Sequence, residues 1–315
     1  MKIAFLINGT AKGLDKLSKE IETTFKAFSP KLFISEKSGH IEELVQTAIA
    51  RGYDTLIICG GDGTLNEGIN GVVESFKSGL CDSDEAYNWA QIAKVKVGLF
   101  PSGSGNDFSK TVLIEKNLDY LKKIIEQNRS KMIDIGWVSF LSPENEPKHR
   151  FFINITDVGM GGETVVKLQN KNTRALGTNF NYLWAITSTL ATYEKVRIKA
   201  TGENFYWEGK AINFVVANGR YFGNGLCVAP DASITDGKFE IVIVGDVSLL
   251  DYFKNLGKIK NCQKIIHPEV HYFQLEKVQI ESLETRKISI DMDGEYIGFA
   301  PMTLINLQQR INFIC

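Results

Sequence analysis

The run Cys59-Gly60-Gly61-Asp62-Gly63-Thr64-Leu65-Asn66-Glu67 sets one carboxylate among three glycines, where an apolar segment gives way to a helical pattern. Glycines at this density let backbone approach a ligand closely and adopt dihedrals that other residues resist. The helix that follows offers unpaired N–H groups and a positive dipole end, which suits phosphate. A carboxylate at such a place repels an anionic ligand unless a cation lies between them, so Asp62 points to a magnesium–nucleotide site. The competing explanation is a tight turn whose aspartate only caps the helix at Thr64 or Leu65. A second run, Pro101-Ser102-Gly103-Ser104-Gly105-Asn106-Asp107-Phe108, repeats the device. A third, Asp291-Met292-Asp293-Gly294-Glu295, gathers three carboxylates in five residues. Asp-Gly is a hairpin turn in its own right. Alternatively Glu295 or Asp293 is a general base that takes a proton from an alcohol.

Other chemistries fit less well. Gly61-Asp62-Gly63-Thr64-Leu65-Asn66 lacks the third glycine of a dinucleotide fingerprint, and Phe108-Ser109-Lys110-Thr111 lacks the glycine of a Walker A loop. His40, His149, His267 and His271 make no convincing metal set, because Pro268 interrupts the one i, i+4 pair. The turn Asp231-Ala232-Ser233-Ile234-Thr235-Asp236-Gly237 is explained by its turn chemistry, with a metal held by carbonyls and Asp236 as the alternative.

The elements that must position these residues change character along the chain. Ile3–Ile7, Lys31–Ser35, Leu56–Cys59 and Val95–Phe100 read as buried strands. Helical patterns fall between them at Leu14–Ala27, Ile41–Ala50 and from Thr64 onward, with another from Asp107 to about Gln127. That alternation predicts a parallel sheet with helices on both faces and ligands beyond the carboxyl ends of the strands, where every glycine turn lies. From Lys131 the strands become short, β-branched and aromatic, which predicts an antiparallel sandwich or barrel. Two helices interrupt it, Asn179–Tyr193 and Ser248–Lys260, and either could touch a bilayer. The expected division is 1–130 for a nucleotide-binding α/β domain, with 300–315 returning to it, and 131–299 for a β-rich substrate domain.

With 315 residues the chain is long enough for two domains, and a formal net charge of −1 speaks against a nucleic-acid binder. Five cysteines without a Cys-x-x-Cys pair read as reduced thiols in a cytosolic protein. No apolar stretch reaches the roughly 18 residues of a spanning helix, so a lipid substrate would have to be met at the membrane surface.

In this order, Gly60 to Glu67, Pro101-x-Gly103-Ser104-x-Asn106-Asp107-Phe108 and Asp293-Gly294-Glu295 resemble the diacylglycerol kinase catalytic-domain family, in its soluble bacterial lipid-kinase branch. The first motif is shared in part with NAD kinases. The resemblance implies a NAD kinase/diacylglycerol kinase-like α/β domain plus a β-sandwich, with ATP in the cleft between them and magnesium as cofactor. It implies nucleotide contacts from Asn8, Gly9, Thr10, Ala11, Lys12, Ser35, Gly60, Gly61, Asp62, Gly63, Thr64, Leu65, Asn66, Glu67, Ser104, Asn106 and Asp107. It makes Glu295 the proton acceptor and the 231–238 loop a structural magnesium site, through the carbonyls of Ser233 and Lys238 and the side chain of Asp236. The expected partners are ATP and a lipid at the inner membrane face, with a homodimer possible. Gly9 departs from the proline common in the first turn, and Ser104 from the more usual threonine. The alternative functions are a soluble kinase of the NAD-kinase type and a non-catalytic nucleotide-binding regulator.

Overall fold

A computed structural model describes residues 1–11, 13–79, 84–169 and 178–315; for 84, 169 and 178–183 it describes backbone alone. The chain divides into two compact units, Met1–Ile135 with Gln308–Cys315, and Gly136–Leu307.

In the first unit four strands, β1 (Ile3–Ile7), β2 (Lys31–Ile34), β3 (Thr55–Gly60) and β4 (Lys96–Pro101), alternate with helices. The helices are α1 (Leu14–Thr24), α2 (His40–Ala50), α3 (Asp62–Glu74), α4 (Trp89–Ile92), α5 (Asp107–Val112) and α6 (Leu118–Glu126). Strand order is β2-β1-β3-β4, all parallel, and the chain's last strand adds to β4 at Asn312 and Phe313. β1 and β3 are buried along their whole lengths, as strands covered on both faces must be. Ile21 and Phe25 near the end of α1 and Leu121, Ile124 and Ile125 of α6 cover one face with Phe5 and Ile57. On the other side, Gly71 of α3 lies against the α2 backbone, where an added Cβ would stand 2.8 Å from the Glu42 carbonyl. The expected long helix after Asp107 is broken into α5 and α6, because Leu113 takes a left-handed conformation at φ 57° and ends the first.

The second unit is antiparallel, as its β-branched, alternating strands predict. Its elements are β5 (Lys131–Leu141, begun in the first unit), β6 (Pro147–Phe152), β7 (Ile155–Gly159), α7 (Met160–Gln169), α8 (Thr178–Thr192), β8 (Val196–Gly202), β9 (Phe205–Ala211) and β10 (Asn213–Ala217). They continue with β11 (Tyr221–Phe222), β12 (Leu226–Cys227), β13 (Phe239–Val244), α9 (Leu249–Lys260), β14 (Val270–Leu275), β15 (Lys277–Ser282), β16 (Ser289–Met292) and β17 (Glu295–Phe313). One set of strands runs β14-β13-β10-β7-β16-β17 and another β9-β8-β15-β17, with the β5–β6 hairpin beside β17. Phe214, Ile241 and Ile290 of the first set share one core with Ile198, Val278 and Leu304 of the second, which makes a sandwich. The opposite face of the first set, with Val215 and Val242, is covered by Val228, Val247 and Ile265.

One expectation is corrected here. Cys227 and Cys262 form a disulfide with Cα atoms 4.9 Å apart, so not all the cysteines are reduced thiols. Spacing alone gave no reason to pair them, since neighbours in space stand 35 residues apart in the chain. Cys59 and Cys315 are unbridged.

Candidate functional sites: two glycine turns in the first unit, a carboxylate hairpin in the second

The C-terminal ends of β1, β3 and β4 lie side by side because those strands are neighbours in register, and three turns leave them together. Each turn is shaped by close backbone packing. An added Cβ at Gly9 would stand 1.9 Å from the Ser35 carbonyl oxygen, and one at Gly103 would stand 2.3 Å from the Gly61 Cα. At Gly60 it would meet the Thr64 side chain at 2.3 Å. Only glycine permits these contacts, and they bring the turns after β3 and β4 into backbone contact.

Polar bonds fix the rest. Asn8 Nδ2 donates to Thr64 Oγ1 at 3.2 Å, while Asn8 Oδ1 accepts from the N–H and hydroxyl of Thr10. The Gly9 N–H donates to Ser35 Oγ at 3.1 Å. In the second turn Asn106, at φ 52°, bonds the Gly103 N–H and carbonyl with its amide.

Asp62 stands at the start of α3 and reaches across to the other turn. Its Oδ2 accepts the Asp107 N–H at 3.0 Å and its Oδ1 the Phe108 N–H at 2.9 Å. It thus caps α5 as well as opening α3. Gly105 has both Asp62 Oδ2 and Asp107 Oδ2 at 3.4 Å from where its Cβ would be, so the two carboxylates flank the same glycine. Burial first, and then the charge of Asp107, push the Asp62 carboxyl above its ordinary pKa. A cation placed there would relieve both effects, and the all-oxygen set suits a hard divalent ion. Lys110 Nζ, 2.7 Å from Asp107 Oδ1, supplies one positive charge already.

Not every residue of the first motif faces this place. The Glu67 carboxylate receives the Gly39 N–H at 2.8 Å and the Ile41 N–H at 3.2 Å, capping α2. Leu65 is wholly buried in the core, and Asn66 is bonded by the Asn70 amide. Ala11, Gly63 and Ser104 lie on the turns or at the α3 start, whereas Lys12 falls outside the described residues.

In the second unit, Asp293 and Gly294 form the β16–β17 turn with φ 50° and 87°, as an Asp-Gly hairpin requires. Asp293 is buried, and its Oδ1 accepts the N–H groups of Asn154 (3.1 Å) and Ile155 (2.9 Å), its Oδ2 that of Ile153 (3.1 Å). Three backbone donors on one carboxylate tie it into the turn. Glu295, opposite Met292 in register, is half-buried.

Asp157 escaped the sequence reading altogether. It pairs with Asp291 across β7 and β16, and both are buried. Sequence periodicity does not say which strands pair, so nothing in it could join them. In the 231–238 turn, Asp236 Oδ1 accepts the Lys238 N–H at 3.1 Å, and Ser233 Oγ lies 3.4 Å from Thr235 Oγ1. Among the described residues no group of three or more His, Cys, Asp or Glu gathers as a metal cage.

The second unit also holds an open, mostly apolar cavity of about 160 Å³. Val215, Val242 and Val244 line it from the sheet, and Tyr252 and Ile259 from α9. The opposite face of α9 exposes Leu250 and Phe253, three residues apart, and Trp184 of α8 is exposed too. Among the described residues no helix is long and apolar enough to cross a membrane.

Comparison with known proteins finds relatives along nearly the whole chain. The model of the diacylglycerol kinase catalytic domain matches residues 2–138. That of the YegS C-terminal NAD kinase beta sandwich-like domain matches residues 156–315. A diacylglycerol kinase of Staphylococcus carnosus is 27% identical over 285 residues, 90% of this chain and 84% of that protein. One from Staphylococcus aureus (strain MRSA252) is 24% identical over 316 residues, 99% of this chain and 91% of that protein. Among solved structures, a diacylglycerol kinase from Bacillus anthracis str. Sterne superposes with a TM-score of 0.68 at 20% identity, covering 99% of this chain and 96% of that one. Yeast NADH kinase complexed with NADH shares the fold more distantly, with a TM-score of 0.54 at 9% identity over 99% and 82%.

Proposed function

The chain belongs to the diacylglycerol kinase catalytic-domain family, and from that premise we propose that it transfers the γ-phosphoryl group of ATP to the hydroxyl of a membrane lipid. The observation that carries this reading is the pair of glycine turns in backbone contact, with the Asp62 and Asp107 carboxylates around Gly105. Such turns present N–H groups to a triphosphate, and positioning provides most of the catalysis in phosphoryl transfer. Asn8, Thr10 and Ser35 hold the first turn beside them. When bound, magnesium supplies charge neutralisation on the β- and γ-phosphates, and Asp62 with Asp107 behind it would hold the ion. The 231–238 turn would hold a second, structural ion through the Ser233 and Lys238 carbonyls and Asp236. Glu295 removes the proton of the attacking hydroxyl, while Asp293 anchors the hairpin that carries it.

The lipid's chain would occupy the apolar cavity of the second unit. Leu250, Phe253 and Trp184, with Lys254 and Lys258 beside them on α9, suit an anionic bilayer surface. The test is transfer of labelled γ-phosphate to a panel of lipid alcohols in mixed micelles, with NAD as the control acceptor. Label in lipid and none in NAD supports the reading. Label in NAD alone makes the protein a kinase of the NAD-kinase type, and ATP binding without transfer makes it a regulator.

A further inference from the structure

The cavity is apolar except at a few places, and one of these is a buried carboxyl on the strand that leads to Glu295. Asp291 lines the cavity wall, and its Cα partner on the neighbouring antiparallel strand is Asp157. Residues so paired point to the same face, about 4.5–5.5 Å apart at Cβ. Both are buried, and Asp157 Oδ2 and Asp291 Oδ1 have no hydrogen-bond partner among the described residues. The other Asp157 oxygen is held from the cavity side. A Cβ at Gly161, itself on the cavity wall, would stand 2.0 Å from Asp157 Oδ1. The Asn213 amide, with its nitrogen turned toward it, donates to the same oxygen at 2.9 Å.

Two carboxyls buried on one face disfavour each other's charged form. Burial pushes Asp157 up to about 7, and burial and the charge of Asp157 push Asp291 well above the usual carboxylate range. The groups acting on the pair include backbone amides, Asn213 and other carboxyls, Asp293 and Glu295 among them, and Tyr193, over whose ring the Arg286 guanidinium lies at 5.1 Å, stands within electrostatic reach of Asp157. The remaining polar wall residues do not offset it, for Asp251 is acidic and bound into the cap of α9 and His267 stands 3.9 Å from it. An apolar pair of similar size would pack more stably at this place.

We infer that Asp157 and Asp291 read the headgroup of the cavity's occupant, with Asp291 accepting a hydrogen bond from a hydroxyl or ammonium group and Asp157 holding it in place. The pair admits neutral or cationic lipid alcohols and amines and repels an anionic headgroup such as a phosphodiester. This rests on the reading of the cavity as the lipid's seat. Asp291 is then a specificity residue, and Asp157 a positioning residue.

Three probes with the same chain isolate the headgroup: oleyl alcohol, oleylamine and oleate, each titrated at pH 8 by calorimetry below its aggregation limit, with no nucleotide present. The wild-type protein is expected to bind the alcohol and the amine at least about tenfold more tightly than oleate. The Asp157→Asn, Asp291→Asn double variant is expected to lose that discrimination while melting at the same temperature or higher. Oleate binding as tightly as the alcohol in the wild type, or discrimination that survives in the double variant, overturns the inference. A double variant that melts well below the wild type also overturns it, since the pair is then structural. Single Asp291→Asn and Asp157→Asn variants are each expected to lose part of that discrimination, and a single Asp291→Asn variant that keeps all of it overturns the inference as well. Discrimination in binding alongside no phosphoryl transfer to any lipid would defeat the kinase reading and leave this one standing.

Discussion

Replacing Asp293 by asparagine separates the structural carboxylate of the Asp-Gly-Glu hairpin from the chemical one. The wild-type side chain accepts three backbone N–H groups, from Ile153, Asn154 and Ile155, at 2.9–3.1 Å. Asparagine keeps one oxygen for two of them and sets its own amide donor against the third. Charge-assisted hydrogen bonds contribute about 1.5–3 kcal/mol and neutral ones about 0.5–1.5 kcal/mol, so two bonds weaken by about 1 kcal/mol each. A buried N–H left facing a donor adds about 1–3 kcal/mol, for a total loss of about 3–5 kcal/mol. With a urea dependence of about 2 kcal/mol per molar, the transition of the second unit should move down by about 1.5–2.5 M. The assay is urea unfolding followed by tyrosine and tryptophan fluorescence, beside kinase turnover measured at low temperature where the variant stays folded. A stability change below about 1 kcal/mol with a collapse in kcat would refute the reasoning and put Asp293 in the chemistry.

Three other outcomes follow from the same geometry. Glu295→Gln should lower kcat by about 10²–10⁴ while leaving ATP affinity and the melting temperature nearly unchanged, and equal losses in kcat and ATP affinity would make the residue structural. Gly103→Ala puts a methyl group 2.3 Å from the Gly61 Cα, where only backbone could yield. It should reduce kcat/KM by about 10²-fold through misplaced turns, and unchanged kinetics would contradict the contact. Asp157 holds its proton up to about pH 7 in the folded state, against 3.8 ordinarily, so between those values the folded chain binds a proton that the unfolded chain has released. Stability should therefore fall as pH rises through that window, by on the order of 3 kcal/mol from pH 5 to 7.5, and Asp157→Asn should flatten much of that slope in melts across pH.

Much of the fold was legible because the two halves differ in period. Apolar runs such as Ile3–Ile7 and Leu56–Cys59 belong to parallel strands buried on both faces, while alternation such as that of Lys277–Ser282 belongs to strands with one wet face. The glycine turns were legible too, because backbone contact like that of Gly61 with Gly103 leaves a compositional trace. What composition cannot carry is the direction in which a side chain leaves its motif. Asp62, Asn66 and Glu67 stand within six residues, yet the first braces the second turn, the second stays within α3 and the third caps α2. Residues brought together by long-range pairing were invisible for the same reason. The disulfide of Cys227 with Cys262 and the carboxyl pair of Asp157 with Asp291 both depend on which strands and helices become neighbours.

The most direct test of the central claim is a crystal structure with magnesium and a non-hydrolysable ATP analogue. The account predicts the triphosphate against the backbone of Gly60 to Gly63 and of Gly103 to Asn106, with the metal ion on the side of Asp62 and Asp107. A nucleotide bound elsewhere, with Asp62 engaged only by the Asp107 and Phe108 amides, would contradict it.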